Sequence, residues 1–235
     1  MFRRNKTIFF FAGTFLVIPL FVLADYGYFT MPVDPSTLSY SYPNTGINSW
    51  VDHTSPLGVN DTSSIFTRYT GVEYTGSSTD LFVCQDYFNG FGCYNHHEGI
   101  DYAVASGTSV LAAASGTVRQ AQWQDPNATT TGNFGRFVRI WHGQYGLSTL
   151  YAHLSATTTG ALAGNHANRQ QLIGYSGKTG CDGGANPCGY HLHFQVYNAD
   201  DAVTSTNSYF ADSVDPYGWS AGAGQASDTW ANDWP

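Results

Sequence analysis

Residues 97–123 read His97-Glu-Gly-Ile-Asp101-Tyr-Ala-Val-Ala-Ser-Gly107-Thr-Ser-Val-Leu-Ala-Ala-Ala-Ser-Gly116-Thr-Val-Arg-Gln-Ala-Gln-Trp123. Three short apolar or β-branched runs, 100–104, 109–114 and 116–123, are separated by Gly and Ser, the pattern of strands joined by tight turns. The pattern continues at 136–142, 148–154, 171–175 and 191–197, and nearly every break holds Gly, Asn or Asp-Pro. No long segment carries a helical stripe. Residues 159–171, rich in Ala and Asn, leave room for a short helix or an irregular turn. The expected fold class is all-β.

Around these strands the chain divides by composition. Residues 50–219, with a core at 80–219, suffice for one domain with its own apolar interior. Pieces such as 64–69 read as edge strands and loops. Residues 25–49 show no sustained periodicity and are expected to form a flexible arm, and 220–235, rich in Ala, Gly, Ser and Asp, a flexible tail. Residues 1–24 carry Arg3, Arg4 and Lys6, then an apolar run closing in Val22-Leu23-Ala24, the grammar of a secretory signal peptide. The run falls short of the roughly twenty residues of a spanning helix and contains Pro19. Cleavage after Ala24 is therefore favoured over a retained membrane anchor, and the expected location is secreted and extracytoplasmic.

Loss of residues 1–24 would remove three basic groups and no acid, moving the net charge from −8 to −11. So acidic a chain argues against nucleic acid as a partner, because Lys and Arg contacts to phosphate dominate that affinity. The four cysteines fall into two local pairs, Cys84 with Cys93 and Cys181 with Cys188. In an exported chain disulfides are the default, and local pairing is preferred because each pair brackets a Gly- and Asn-rich loop. Neither spacing is that of a Cys-x-x-Cys zinc ribbon.

The chemistry lies in His97-Glu-Gly-Ile-Asp101, Tyr151-Ala-His153 and His191-Leu-His193. In extended chain, residues two or four apart share a face, so His97 would align with Asp101 and His191 with His193. Two imidazoles and a carboxylate make the three-ligand set of a catalytic zinc ion with a fourth position open to water. The remaining histidines of these motifs can handle protons. His53, His96, His142 and His166 read as surface or core residues; His96 stands at an odd offset from Asp101. Tyr87 and Tyr94 approach His97, but among 16 tyrosines they read as structural.

With these motifs in view, the chain resembles the lysostaphin and LytM type of zinc metallopeptidases, which cut bacterial cell-wall peptides. Their His-x-Gly-x-Asp signature is similar to His97-Glu98-Gly99-Ile100-Asp101. The likeness continues through 107–113 and Gly116-Thr-Val118, through Val138 to Gly143, and through Ser148 to Leu154. It runs on through Ile173 to Gly180 and His191-Leu192-His193-Phe194, and closes at Asp215-Pro216, covering residues 97–219 in register. The resemblance implies an antiparallel β core with a groove over one sheet. It implies that His97, Asp101 and His193 bind one zinc ion and that His153 and His191 are the catalytic pair. The implied activity is a zinc metalloendopeptidase acting on peptidoglycan stem or cross-bridge peptides; a monomer is the default expectation. The alternative is a catalytically silent or latent peptidoglycan-binding module of the same fold; in the latent form residues 25–82 would lie across the groove, and an Asn or Asp from them, with candidates such as Asn44, Asn48 and Asn60, would fill the open zinc position. The Cys181 to Cys188 loop and the long region upstream of His97 depart from the commonest family pattern.

Overall fold

The computed structural model describes residues 29–39, 46–49, 65–67, 73–75, 97–125, 134–181, 188–197, 200 and 213–214. Their strands are β1 (Ile47–Ser49), β2 (Ile65–Thr67), β3 (Glu73–Thr75), β4 (Ile100–Tyr102), β5 (Ser109–Leu111), β6 (Gly116–Trp123), β7 (Arg136–His142), β8 (Leu147–Ala152), β9 (Ala156–Thr157), β10 (His166–Ala167), β11 (Leu172–Tyr175), β12 (Leu192–Tyr197) and β13 (Ser213–Val214). Their ladders are antiparallel. One eight-stranded sheet runs β1-β4-β12-β8-β7-β6-β10, with β13 also on β12; a second runs β5-β11-β9, and β2 pairs with β3. The all-β expectation holds. In residues 159–171 the chain makes a single 3-10 turn, Thr159–Ala161, and the short strand β10.

The main core lies between the large and the three-stranded sheet. Ile100, Tyr102, Val118, Val138, Ile140, Tyr151, Leu192, Phe194 and Val196 from the large sheet meet Val110 and Ile173 from the small one. The opposite face of the large sheet carries a second cluster, Phe134, Phe137, Leu150, Ala152 and Tyr197. Alternation along β12 sends Leu192, Phe194 and Val196 to the main core and turns His193 the other way.

The flexible-arm expectation for 25–49 needs correction over the residues described. Phe29, Val33, Leu38 and Ile47 are buried in the main core. Thr30 N–H donates to Ala113 O and Leu111 N–H to Pro32 O, each at 2.7 to 2.8 Å, and β1 extends the large sheet at β4. Isolated apolar residues can each fill a site in a preformed core without any repeat along the chain, so periodicity could not reveal them. The proposed signal peptide, the 220–235 tail, the Cys84 and Cys93 pair, His53, His96, Tyr87, Tyr94, Asn44 and Asn60 lie outside the described residues. Among those residues, no helix is long and apolar enough to cross a membrane.

His142 explains how buried polar groups in this core are satisfied. Its Nδ1–H donates to Ser115 O at 2.9 Å, so Nε2 accepts from Thr149 Oγ1 at 2.8 Å. Tyr151 Oη lies 3.0 Å from Thr149 Oγ1 and accepts from Ala113 N–H at 2.7 Å. With the Thr149 proton committed to His142, Tyr151 donates to Thr149, giving one consistent chain of donors through β7 and β8. Burial pushes the His142 imidazole down to about 4, so it is neutral and structural.

Candidate active site

The register of the large sheet builds the site. Ser49 pairs with Asp101, Asp101 with His193, and His193 with Ala152, so one cross-strand row spans β1, β4, β12 and β8. Side chains in such a row share a face, here the one opposite the main core. Asp101 Oδ1 lies 3.0 Å from His193 Nδ1 and 3.2 Å from His97 Nε2, and the two nitrogens are 3.1 Å apart. All three residues are buried.

His97 reaches this triangle by a route that strand alternation did not foresee. Four extended residues would separate it from Asp101 by roughly 13 Å, yet the two touch, because the chain bends at Gly99 before β4 begins. Gly99 also has a packing role. A Cβ there would stand 2.6 Å from His193 Cε1, 2.7 Å from His193 Nε2 and 2.7 Å from Phe194 O. Only a residue without a side chain lets the His193 ring lie against this bend.

His153 and His191 stand beside the triangle with ring centroids 4.6 Å apart, and the His191 Nε2 is 3.8 Å from Asp101 Oδ1. Ala152 already faces the site side, so continued extension would turn residue 153 to the other face. Instead His153 adopts a left-handed conformation, φ 58°, which ends β8 and brings its ring to His191. Both rings are anchored through Nδ1: His153 donates to Thr179 O at 2.8 Å and His191 to Gly189 O at 2.9 Å. In each neutral ring Nε2 therefore carries the lone pair. The Cys181–Cys188 disulfide and the Cys188 N–H bond to Cys181 O hold residue 188, just before Gly189 and His191, against residue 181.

Electrostatics favour an ionised carboxylate at Asp101, with burial holding the His153 and His193 imidazoles toward the neutral form. Burial works to raise the Asp101 carboxyl, but the imidazoles of His97 and His191 and hydrogen bonds from His193 and His97 outweigh it and hold it well below the ordinary range. Burial lowers His193, with Asp101 acting against it. Burial, then the neighbouring His191 and His193, holds His153 well below the usual imidazole range. Burial pushes the Glu98 carboxyl up to about 7.

The donor set fits a metal ion. With Asp101 ionised, hydrogen bonds can satisfy at most two edges of the triangle. Two N–H groups facing the carboxylate would leave donors opposed across the nitrogen–nitrogen edge, and removing either proton sets a lone pair against the carboxylate. A cation resolves all three edges. Tetrahedral zinc with bonds of about 2.0–2.1 Å places its ligand atoms roughly 3.3 Å apart, close to the observed 3.0 to 3.2 Å. Among the described residues a second group, His153, Cys181 and His191, also clusters, but its sulfur is in the disulfide.

An antiparallel β domain with two imidazoles, a carboxylate and an adjacent histidine pair is the arrangement of a metal-dependent hydrolase. Residues 95–205 match the model of peptidase family M23. Over 107 residues the chain is 35% identical to an uncharacterized metalloprotease of Haemophilus influenzae, covering 46% of this chain and 20% of that protein. It is 36% identical over 100 residues to the DD-carboxypeptidase/endopeptidase Mpg of Neisseria meningitidis, covering 43% and 20%. The chain thus spans about a fifth of the length of these curated relatives. Among solved structures, the catalytic domain of the antimicrobial peptidase lysostaphin from Staphylococcus simulans aligns at 26% identity and TM-score 0.40, covering 51% of this chain and 75% of that one.

Sequence reasoning missed Ser49, whose Oγ lies 3.1 Å from His97 Nδ1, and Phe134, whose ring stands 5.5 Å from that of His193. Neither belongs to a motif with diagnostic spacing. The carbonyls of Thr179 and Gly189 that orient the histidine pair carry no side-chain signal at all.

Proposed function

We propose that this chain is a secreted zinc metalloendopeptidase that hydrolyses peptide bonds of bacterial cell-wall peptidoglycan, with His97, Asp101 and His193 holding one zinc ion and His153 and His191 as the catalytic pair. The observation that carries it is the closed triangle of His97 Nε2, Asp101 Oδ1 and His193 Nδ1 with two anchored imidazoles beside it. The match of residues 95–205 to a peptidase family supports hydrolysis, and the name of the Neisseria relative supports a wall peptide as substrate. The signal-like residues 1–24 support export.

Bound zinc would supply Lewis-acid polarisation of the scissile carbonyl and acidification of the attacking water. The chain's own residues do the rest. His153 and His191 each present an Nε2 lone pair, because a backbone carbonyl holds the Nδ1 proton. One accepts the proton of the attacking water and passes it to the leaving amine, and the other, after taking up a proton from bulk water at Nε2, donates it as a hydrogen bond to the developing oxyanion. Asp101 stays ionised throughout the neutral range, as a ligand requires.

The test is digestion of purified peptidoglycan by the full chain, with products identified by mass. Each cut should create one new amine and one new carboxyl terminus, chelation should stop the reaction and added zinc should restore it. Unchanged turnover after complete metal removal would rule out the reading. Zinc binding with no peptide released would instead favour a binding module.

A further inference from the structure

We propose that Ser49, on a strand upstream of the family-matched segment, is a positioning residue of the metal centre that orients His97 with Nε2 toward the ion. The inference rests on the zinc reading above.

The first support is a contact. Ser49 is 3% exposed, and its Oγ lies 3.1 Å from His97 Nδ1. His97 Nε2 faces Asp101 and His193, so a His97 that ligates through Nε2 carries its proton on Nδ1. The Ser49 hydroxyl is then the acceptor for that proton. His97 precedes β4 and has no place in a strand ladder, so a hydroxyl at Nδ1 limits rotation of its ring.

The second support is the backbone. Residues two apart in a regular strand share a face, yet Ile47 is buried in the main core while Ser49 is in the site on the opposite face. A register shift accounts for this. Ile47 pairs with Tyr102 and Ser49 with Asp101, so two steps along β1 match one step along β4. Such a bulge re-aims one side chain. Without it, Ser49 would lie opposite residue 100, whose side chain is in the core. The family-matched segment begins at residue 95, so the domain's metal centre draws a group from outside it.

The experiment compares the full chain with Ser49→Ala and Ser49→Thr. Zinc affinity is measured by competition with a chromophoric chelator, melting on the metal-free proteins, and exchange of the His97 Nδ1 proton by nitrogen-15 NMR on the zinc-loaded forms. Loss of an outer-shell partner typically weakens metal binding about 10- to 100-fold. Ser49→Ala should show that loss with an exchange-labile Nδ1 proton, while Ser49→Thr, which keeps the hydroxyl, retains wild-type affinity. Metal-free melting should be similar in all three, whereas a merely structural serine would lower melting and leave zinc affinity alone. Equal zinc affinity for wild type and Ser49→Ala would overturn the proposal. Should Ser49→Ala fail to fold, the wild-type spectrum decides: a protected Nδ1 proton supports the assignment and a freely exchanging one overturns it. A wild-type chain that binds no zinc would instead defeat the reading on which the proposal rests.

Discussion

Replacing Gly99 with Ala is the smallest change expected to disable the site while leaving the fold. The added Cβ would fall 2.6 Å from His193 Cε1, 2.7 Å from His193 Nε2 and 2.7 Å from Phe194 O. Ordinary carbon contacts lie near 3.5 Å or beyond, so something must yield by close to an ångström. Phe194 sits in the β12–β4 ladder opposite Ile100, which leaves the His193 ring as the part that gives way. Gly99 is outside the left-handed region, so the variant tests space and not backbone strain. Overpacking of this kind costs about 1–3 kcal/mol. A ring displaced by about an ångström also opens a triangle with edges of 3.0 to 3.2 Å. Zinc affinity is expected to fall at least 10-fold, read by chelator competition, with circular dichroism reporting a retained β fold. Wild-type zinc affinity in Gly99→Ala would refute the packing argument for this glycine.

Other consequences follow from the core. His142 is fully buried and lowered to about 4 against an ordinary 6.5, so its contribution to stability is complete above pH 6.5 and is lost as pH falls toward 4. Between pH 7 and 4.5 the wild type should lose about 2 kcal/mol more than His142→Gln in urea titrations; parallel pH profiles would contradict this. Tyr151→Phe removes the acceptor for the buried Ala113 N–H and should cost about 1–3 kcal/mol, while zinc content stays at the wild-type value by metal analysis. Phe29, packed edge-on against His142 at 5.3 Å, should cost about 3–5 kcal/mol when changed to Ala, measurable by thermal melting; a neutral effect would mean that the N-terminal segment does not stabilise the domain.

Much of the fold was legible in the sequence because its strands are short runs punctuated by turn residues. Expected segments 116–123 and 136–142 coincide with β6 and β7, and the others differ by a few end residues. The end of β8 shows why boundaries slip. Residues 148–154 read as continuous strand, yet His153 is left-handed, a conformation dictated by the site and not by propensity. The His97, Asp101, His191 and His193 spacings made the candidate site visible, although the bend at Gly99, and not strand alternation, brings His97 to Asp101. Ser49 was invisible because a serine 48 positions upstream acquires its role only through a bulge in β1. Phe29 and Val33 were hidden for a similar reason, since filling a core made elsewhere leaves no local repeat.

Zinc-dependent hydrolysis at this site can be read from one comparison, zinc per chain alongside soluble peptide released from purified peptidoglycan, for wild type, His191→Ala and His193→Ala. One zinc per chain and peptide release are expected in wild type, zinc retained but release lost in His191→Ala, and both lost in His193→Ala. Full turnover by His191→Ala, or a full zinc complement in His193→Ala, would contradict it.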